Sequence, residues 1–121
     1  MATNYITIFL DGENFLHKKT LAWLQSQHDH VVVIDLMKEP ITPRRLEELA
    51  GELNCSARDL VNEQSEKFKN EYLNSDLSEE DWLTVLAHNH DMIRLPIVVK
   101  DDKAIFIDKP GDVVYLENLL A

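Results

Sequence analysis

An apolar run, Ile6-Thr7-Ile8-Phe9-Leu10, enters Asp11-Gly12-Glu13-Asn14 and leaves as the periodic stretch Phe15 to Gln27. The first piece predicts a strand, the glycine-containing tetrapeptide a turn, and the third a helix. Val31-Val32-Val33-Ile34 follows, a continuous β-branched run that reads as a strand buried on both faces. Strand, helix and strand in that order predict a parallel pair joined by a right-handed crossover, which makes the chain α/β. A turn that opens a helix also sits at its positive end, where an anion or a thiolate is stabilised. This turn contains no cysteine, and Asn14 stands directly before the helix.

At 121 residues, 45% of them apolar, the chain is expected to form one domain over 1–121 without disulfide or metal support. Its formal net charge of -10 argues against direct nucleic-acid binding and against anionic membranes, since phosphate binding needs clustered Lys and Arg. The short basic clusters are Lys18-Lys19 and Arg44-Arg45. No apolar run approaches the ~18 residues of a membrane span, and the N-terminus lacks the pattern of a signal peptide. The expected compartment is therefore the cytoplasm. The single cysteine, Cys55, agrees with a reducing environment.

Between the second strand and the last third of the chain the signals are helical. Thr42-Pro43 supplies an N-cap and a first-turn proline, and Leu46, Leu49 and Leu53 mark the buried stripe of a helix that ends near Asn54. Ser56 and Asp59 have capping-box spacing for a short helix through Val61, and Glu63 to Tyr72 is expected to be another, with Phe68 and Tyr72 at i,i+4. Ser78 caps a helix whose first turn carries Glu79, Glu80 and Asp81 and whose inner face holds Trp82, Leu83 and Leu86, ending near His88. Then Ile97-Val98-Val99-Lys100 and Ala104-Ile105-Phe106-Ile107 predict a hairpin around Asp101-Asp102-Lys103. A last helix is expected from Asp112 to Leu120, with Leu116, Leu119 and Leu120 inward.

Several of these pieces together resemble the arsenate reductase (ArsC)/Spx/YffB-like family. They are Lys18-Lys19-Thr20-Leu21-Ala22-Trp23-Leu24, Ile41-Thr42-Pro43-Arg44-Arg45-Leu46, Ala57-Arg58-Asp59-Leu60-Val61-Asn62, Ile93-Arg94-Leu95-Pro96-Ile97-Val98-Val99 and Lys109-Pro110-Gly111-Asp112. The resemblance implies a thioredoxin-like fold: a four-stranded mixed sheet with a helical insertion, about 43–90, between strands 2 and 3. It also implies that Pro96 is the cis-proline facing the active-site turn.

The family's catalytic positions are where the chain departs from the pattern. Asn14 corresponds to the catalytic cysteine, and an amide has no ionisable nucleophile. Leu95 stands where the reductases have an arginine, with Arg94 one place earlier, and Asn62 stands for the arginine that closes the insertion. Lys109 replaces the arginine after the fourth strand, keeping the charge without the bidentate geometry. Asp11 and Glu13 add two carboxylates to the turn; a like charge within about 4 Å costs an oxyanion roughly 1 to 4 kcal/mol. The resemblance with these changes implies a redox-inactive regulatory or protein-binding module. Spx-like relatives contact RNA polymerase, so a protein partner is expected, with no cofactor and no bound glutathione. The alternative is a thiol-dependent, arsenate-type reductase using Cys55 or external glutathione.

Candidate anion- or peptide-binding residues are Asn14, Lys18, Arg94 and Pro96, with Asn14 as a plain N-cap the simpler reading. Cys55, just before a helix start, is the candidate redox-sensitive thiol, against the simpler reading of a small residue half-buried in a turn. His28-Asp29-His30 and His88-Asn89-His90-Asp91 lack the spacing of a closed metal site, so no metal is expected, and such histidines suit helix ends. His17 reads as solvated helix surface, and Trp23 and Trp82 as core.

Overall fold

The computed structural model describes residues 6–109, 111 and 112. Strand β1 (Ile6–Leu10), helix α1 (Phe15–Gln27) and strand β2 (Val31–Asp35) form the expected crossover. β1 and β2 are parallel, in register from Ile6 opposite Val31 to Leu10 opposite Asp35. Strand β3 (Ile97–Lys100) runs antiparallel to β1, and β4 (Lys103–Phe106) antiparallel to β3. The sheet order is β2-β1-β3-β4, which is the four-stranded mixed sheet expected of a thioredoxin-like fold. Alternation along β1 puts Ile6, Ile8 and Leu10 on one face, where Leu24 of α1, Val98 and Ile107 join them. Trp23 lies partly buried against this core.

Two features of the sheet differ from expectation. β2 is an edge strand, not one buried on both faces: Val32 is 43% exposed and Val33 38%. A β-branched run signals a preference for extended backbone, and that preference is the same at an edge as in the centre. The hairpin turn is one residue tighter than predicted, because Lys103 pairs with Lys100 and Asp101 takes a left-handed φ of 58°. Ile107 falls outside the ladder, yet its N–H donates to the Pro96 carbonyl at 3.0 Å.

The chain divides into two compact units, one running to Glu39 and resuming at Leu95, the other Pro40–Arg94. The first contains the sheet and α1. The second is built from α2 (Pro43–Leu53), α3 (Glu79–His88) and short helical turns at Ala57–Leu60, Phe68–Tyr72 and His90–Met92. The Thr42 hydroxyl accepts the Arg45 N–H at 3.1 Å and Pro43 fills the first turn of α2. α2 ends at Asn54 with φ 58°, and the Cys55 N–H donates back to the Ala50 carbonyl at 2.9 Å, a Schellman-type closure. Ser78 caps α3, and both Glu79 carboxylate oxygens accept the Ala57 N–H at 3.0 Å. The core holds Leu46, Leu49, Leu60, Phe68, Trp82, Leu86 and Met92.

The helix expected over Glu63 to Tyr72 starts three residues later: Glu66 and Lys67 are α-helical and run into a π-type turn, Phe68–Tyr72. The Asn62 side-chain oxygen accepts the Gln64 N–H at 3.0 Å and the Ser65 hydroxyl accepts the Phe68 N–H at 3.3 Å. The Asn62 bond competes with a helix start at Glu63, and Ser65 caps the later start at Glu66. Val61 pairs with Ile93 as an isolated antiparallel bridge, closing the unit near its end. The C-terminal helix expected from Asp112 to Leu120 lies outside the described residues beyond Asp112. Among the described residues no helix is long and apolar enough to cross a membrane.

Candidate functional site

The turn between β1 and α1 is held by bonds from its own residues. Asn14 has extended backbone, φ -80° and ψ 124°, and its Oδ1 accepts the N–H groups of Leu16 at 2.9 Å and His17 at 3.2 Å. It is an N-cap, satisfying two donors that the helix start leaves unpaired. Asp11 Oδ1 accepts the Glu13 N–H at 2.9 Å, and the Asn14 N–H donates to the Asp11 carbonyl at 3.0 Å. Gly12 is pressed against Asp35 at the end of β2; a Cβ added there would collide with the Asp35 carboxylate. Asp35 Oδ1 in turn accepts the Met37 N–H at 2.9 Å. Two carboxylates, Asp11 and Glu13, thus belong to the turn before the helix, and a third, Asp35, touches it at Gly12.

His17 is not solvated surface. It is half-buried, and its Nδ1 accepts the Asp11 N–H at 3.0 Å, so the neutral ring carries its proton on Nε2. Burial pushes the His17 pKa down, and the charge of Asp11 with backbone hydrogen bonds at Asp11 and Leu95 offsets this only in part. One imidazole thus links the turn to the segment before Pro96. The usable signal is its place three residues after an N-cap, from which a side chain reaches back to the turn. A depressed folded pKa contributes stability that is present above the unfolded value and lost as pH falls through the folded one. Urea melts between pH 7.5 and 5 are accordingly expected to show a loss of stability that His17→Gln, with no titrating ring, does not share.

Of the residues predicted to bind an anion or peptide, Asn14, Lys18 and Pro96 belong to the unit with the sheet. Asn14 and Lys18 share the first turn of α1, where the Lys18 N–H donates to the Asn14 carbonyl at 3.0 Å. Pro96 is buried, directly precedes β3 and follows a cis peptide bond from Leu95, as the resemblance implies. Arg94 belongs to the other unit, where its N–H donates to the Leu60 carbonyl at 2.7 Å and its charge acts on Cys55 and Asp59. Lys109 is exposed, with its N–H on Asp112 Oδ2 at 3.2 Å.

A model of the ArsC family matches residues 14–107. The chain belongs to the ArsC family.

Solved structures agree with this. A candidate arsenate reductase of Yersinia pestis is 27% identical, with a TM-score of 0.82 over 90% of this chain and 97% of that one. An arsenate reductase of Vibrio cholerae is 23% identical, with a TM-score of 0.84 and 93% and 98% coverage. An arsenate reductase (ArsC) related protein of Brucella melitensis is 18% identical, with a TM-score of 0.72 and 98% and 99% coverage. The last two carry the fold alone. A comparison with curated proteins gives no match.

In this ArsC-family chain the one thiol lies in the helical unit. Cys55 is partly buried between the end of α2 and the Ser56–Asp59 cap, in which the Ser56 N–H and hydroxyl both donate to Asp59 Oδ2 at 3.0 and 2.9 Å. Burial pushes the thiol pKa up; Asp59 and then Glu79 push the same way, while Arg94 pulls it down without prevailing. Alkylation by iodoacetamide is therefore expected to reach half its maximal rate at a pH above that of free cysteine. The raised value also means that stability present below the unfolded cysteine pKa is lost as pH rises through the folded one. Among the described residues no group of three or more His, Cys, Asp or Glu side chains is placed to hold a metal ion. His88 Nδ1 lies 2.8 Å from the Thr84 carbonyl, a helix-end contact of the expected kind.

Proposed function

We propose that this ArsC-family protein is redox-inactive and works as a regulatory or protein-binding module. The observation that carries the reading is the engagement of Asn14, which the resemblance places at the catalytic cysteine position. Its side-chain oxygen caps α1, and it has no ionisable group. The carboxylates of Asp11, Glu13 and Asp35 support the same reading, because they oppose the oxyanion or thiolate that arsenate reduction requires. So does Cys55, whose thiol is held protonated in a different unit. With a net charge of -10, the partner is a protein presenting a basic patch, and association is salt-sensitive. RNA polymerase is the candidate partner by analogy with Spx-like relatives.

The second reading, a thiol-dependent reductase using Cys55 or external glutathione, draws on the likeness to the candidate reductase of Yersinia pestis. A coupled assay with arsenate, glutathione, glutaredoxin and an NADPH-dependent recycling system separates the two. Background rates for wild type and Cys55→Ser alike are expected. Turnover above background would favour the reductase, and its loss in Cys55→Ser would place the chemistry on that thiol. In parallel, affinity purification at low salt is expected to recover a stoichiometric protein partner that is released as ionic strength rises.

A further inference from the structure

The half-buried ring of His17 is fastened on two sides. Its Nδ1 accepts the Asp11 N–H at 3.0 Å, and the ring also hydrogen-bonds the Leu95 backbone before Pro96. A neutral ring alone can make the first of these bonds, because a protonated Nδ1 is a donor with no lone pair to offer an N–H. The turn on the other side has its remaining groups committed. Asp11 Oδ1 accepts the Glu13 N–H at 2.9 Å, the Asp11 carbonyl accepts the Asn14 N–H at 3.0 Å, and Gly12 is seated against the Asp35 carboxylate. Asp11 is thus bonded through its N–H, its carbonyl and its side chain at once.

We propose that His17 is an acid-released latch of the turn before α1: neutral, its ring ties turn 11–14 to Leu95, and protonated, it drops the Asp11 N–H and draws the Asp11 carboxylate, so that the turn opens. Charged groups come from each element around the ring. Lys18 and Lys19 follow it on α1, Asp11 and Glu13 stand in the turn, Asp35 meets the turn at Gly12 from the end of β2, and the Leu95–Pro96 segment brings backbone and apolar groups. The charge that acts on the ring is that of Asp11, and it favours the protonated form. Burial opposes that form more strongly, so release falls below the ordinary histidine value of about 6.5. Two effects then disturb the closed turn. The Asp11 N–H loses its acceptor at a partly buried position, which its backbone must move to remedy. A carboxylate drawn to the imidazolium also shifts the Glu13 N–H that it holds, since a bond between two ions is the stronger one. The latch concerns the conformation of the turn and not what the turn binds, so arsenate turnover would leave it untouched.

The test is nuclear magnetic resonance of the isotope-labelled full chain between pH 7.5 and 5. At pH 7.5 the His17 ring is expected to show its proton on Nε2 and a bare Nδ1. As pH falls, the amide signals of Asp11, Gly12 and Glu13 should move with one midpoint, below about 6.5, that matches the His17 ring and not His28, His30, His88 or His90. Exchange of the Asp11 and Glu13 amides, corrected for its intrinsic pH dependence, should quicken by about tenfold across that midpoint. His17→Gln should abolish the concerted movement. Asp11→Asn, which keeps an oxygen for the Glu13 N–H, should lower the ring midpoint, because the charge that favours protonation is gone. A proton on Nδ1 at pH 7.5, turn amides that stay still while His17 titrates, or a concerted movement that persists in His17→Gln would overturn the proposal. Should His17→Gln fail to fold, Asp11→Asn decides: an unmoved ring midpoint would show that the ring and the Asp11 carboxylate do not act on each other, and would sink the latch.

Discussion

Trp82→Ala is expected to lower the unfolding free energy by about 3–5 kcal/mol, the range for removing a large buried aromatic. Trp82 is 3% exposed on the inner face of α3, with its ring centroid 6.5 Å from Phe68 and 6.1 Å from Tyr72. Arg58 lies over both Phe68 and Trp82, at 4.9 and 5.5 Å, while its guanidinium also meets Glu63 Oε2 at 2.8 Å. Truncation leaves a cavity and removes the face on which that cation sits, so loss of packing and loss of cation–π contact act together. The loss is a large share of the total of about 5–15 kcal/mol available to a domain. Urea unfolding followed by far-ultraviolet circular dichroism should show a midpoint lower by more than about 1 M. Trp82→Phe, which keeps a ring, should recover most of it.

Leu24→Ala is the second large effect, at about 2–5 kcal/mol. Leu24 is fully buried and is the most deeply buried of the α1 side chains that pack on Ile6, Ile8, Leu10 and Val98. The same substitution also loosens what the helix positions at its other end: the Asn14 cap and the His17 link. A measurable companion is faster amide hydrogen exchange at Leu16 and His17, whose N–H groups bond the cap. An unchanged urea midpoint would mean that α1 is not held to the sheet through Leu24.

Much of this was legible because short-range chemistry decided it. Asn14, Thr42 and Ser78 each begin a helix, and the side chain of each accepts a backbone N–H two or three residues on. Trp82, Leu83 and Leu86 are buried on the face their spacing indicates. What misled the reading was long-range. Val32 and Val33 look like a central strand, and only the sheet order makes them an edge. Glu63 to Tyr72 has helical composition, but Asn62 spends its side chain on a local turn and the helix waits for the Ser65 cap. His17 carried no sign of its buried nitrogen, because its partners, Asp11 and Leu95, are a turn and most of the chain away. Of the candidate site, Asn14 and Pro96 could be placed from sequence, while Asp35, brought beside Gly12 by the crossover, could not.

The double acceptance by Asn14 has a bearing on how such a chain can evolve. A cysteine at position 14 would forfeit the cap and cost about 1 kcal/mol. It would do so before conferring any activity, since Asp11 and Glu13 would still disfavour its thiolate. On the proposed reading, gaining a nucleophile there means passing through a variant that is less stable before it is active. The cap works as a ratchet, with stability resisting the arrival of a thiol at this turn one substitution at a time.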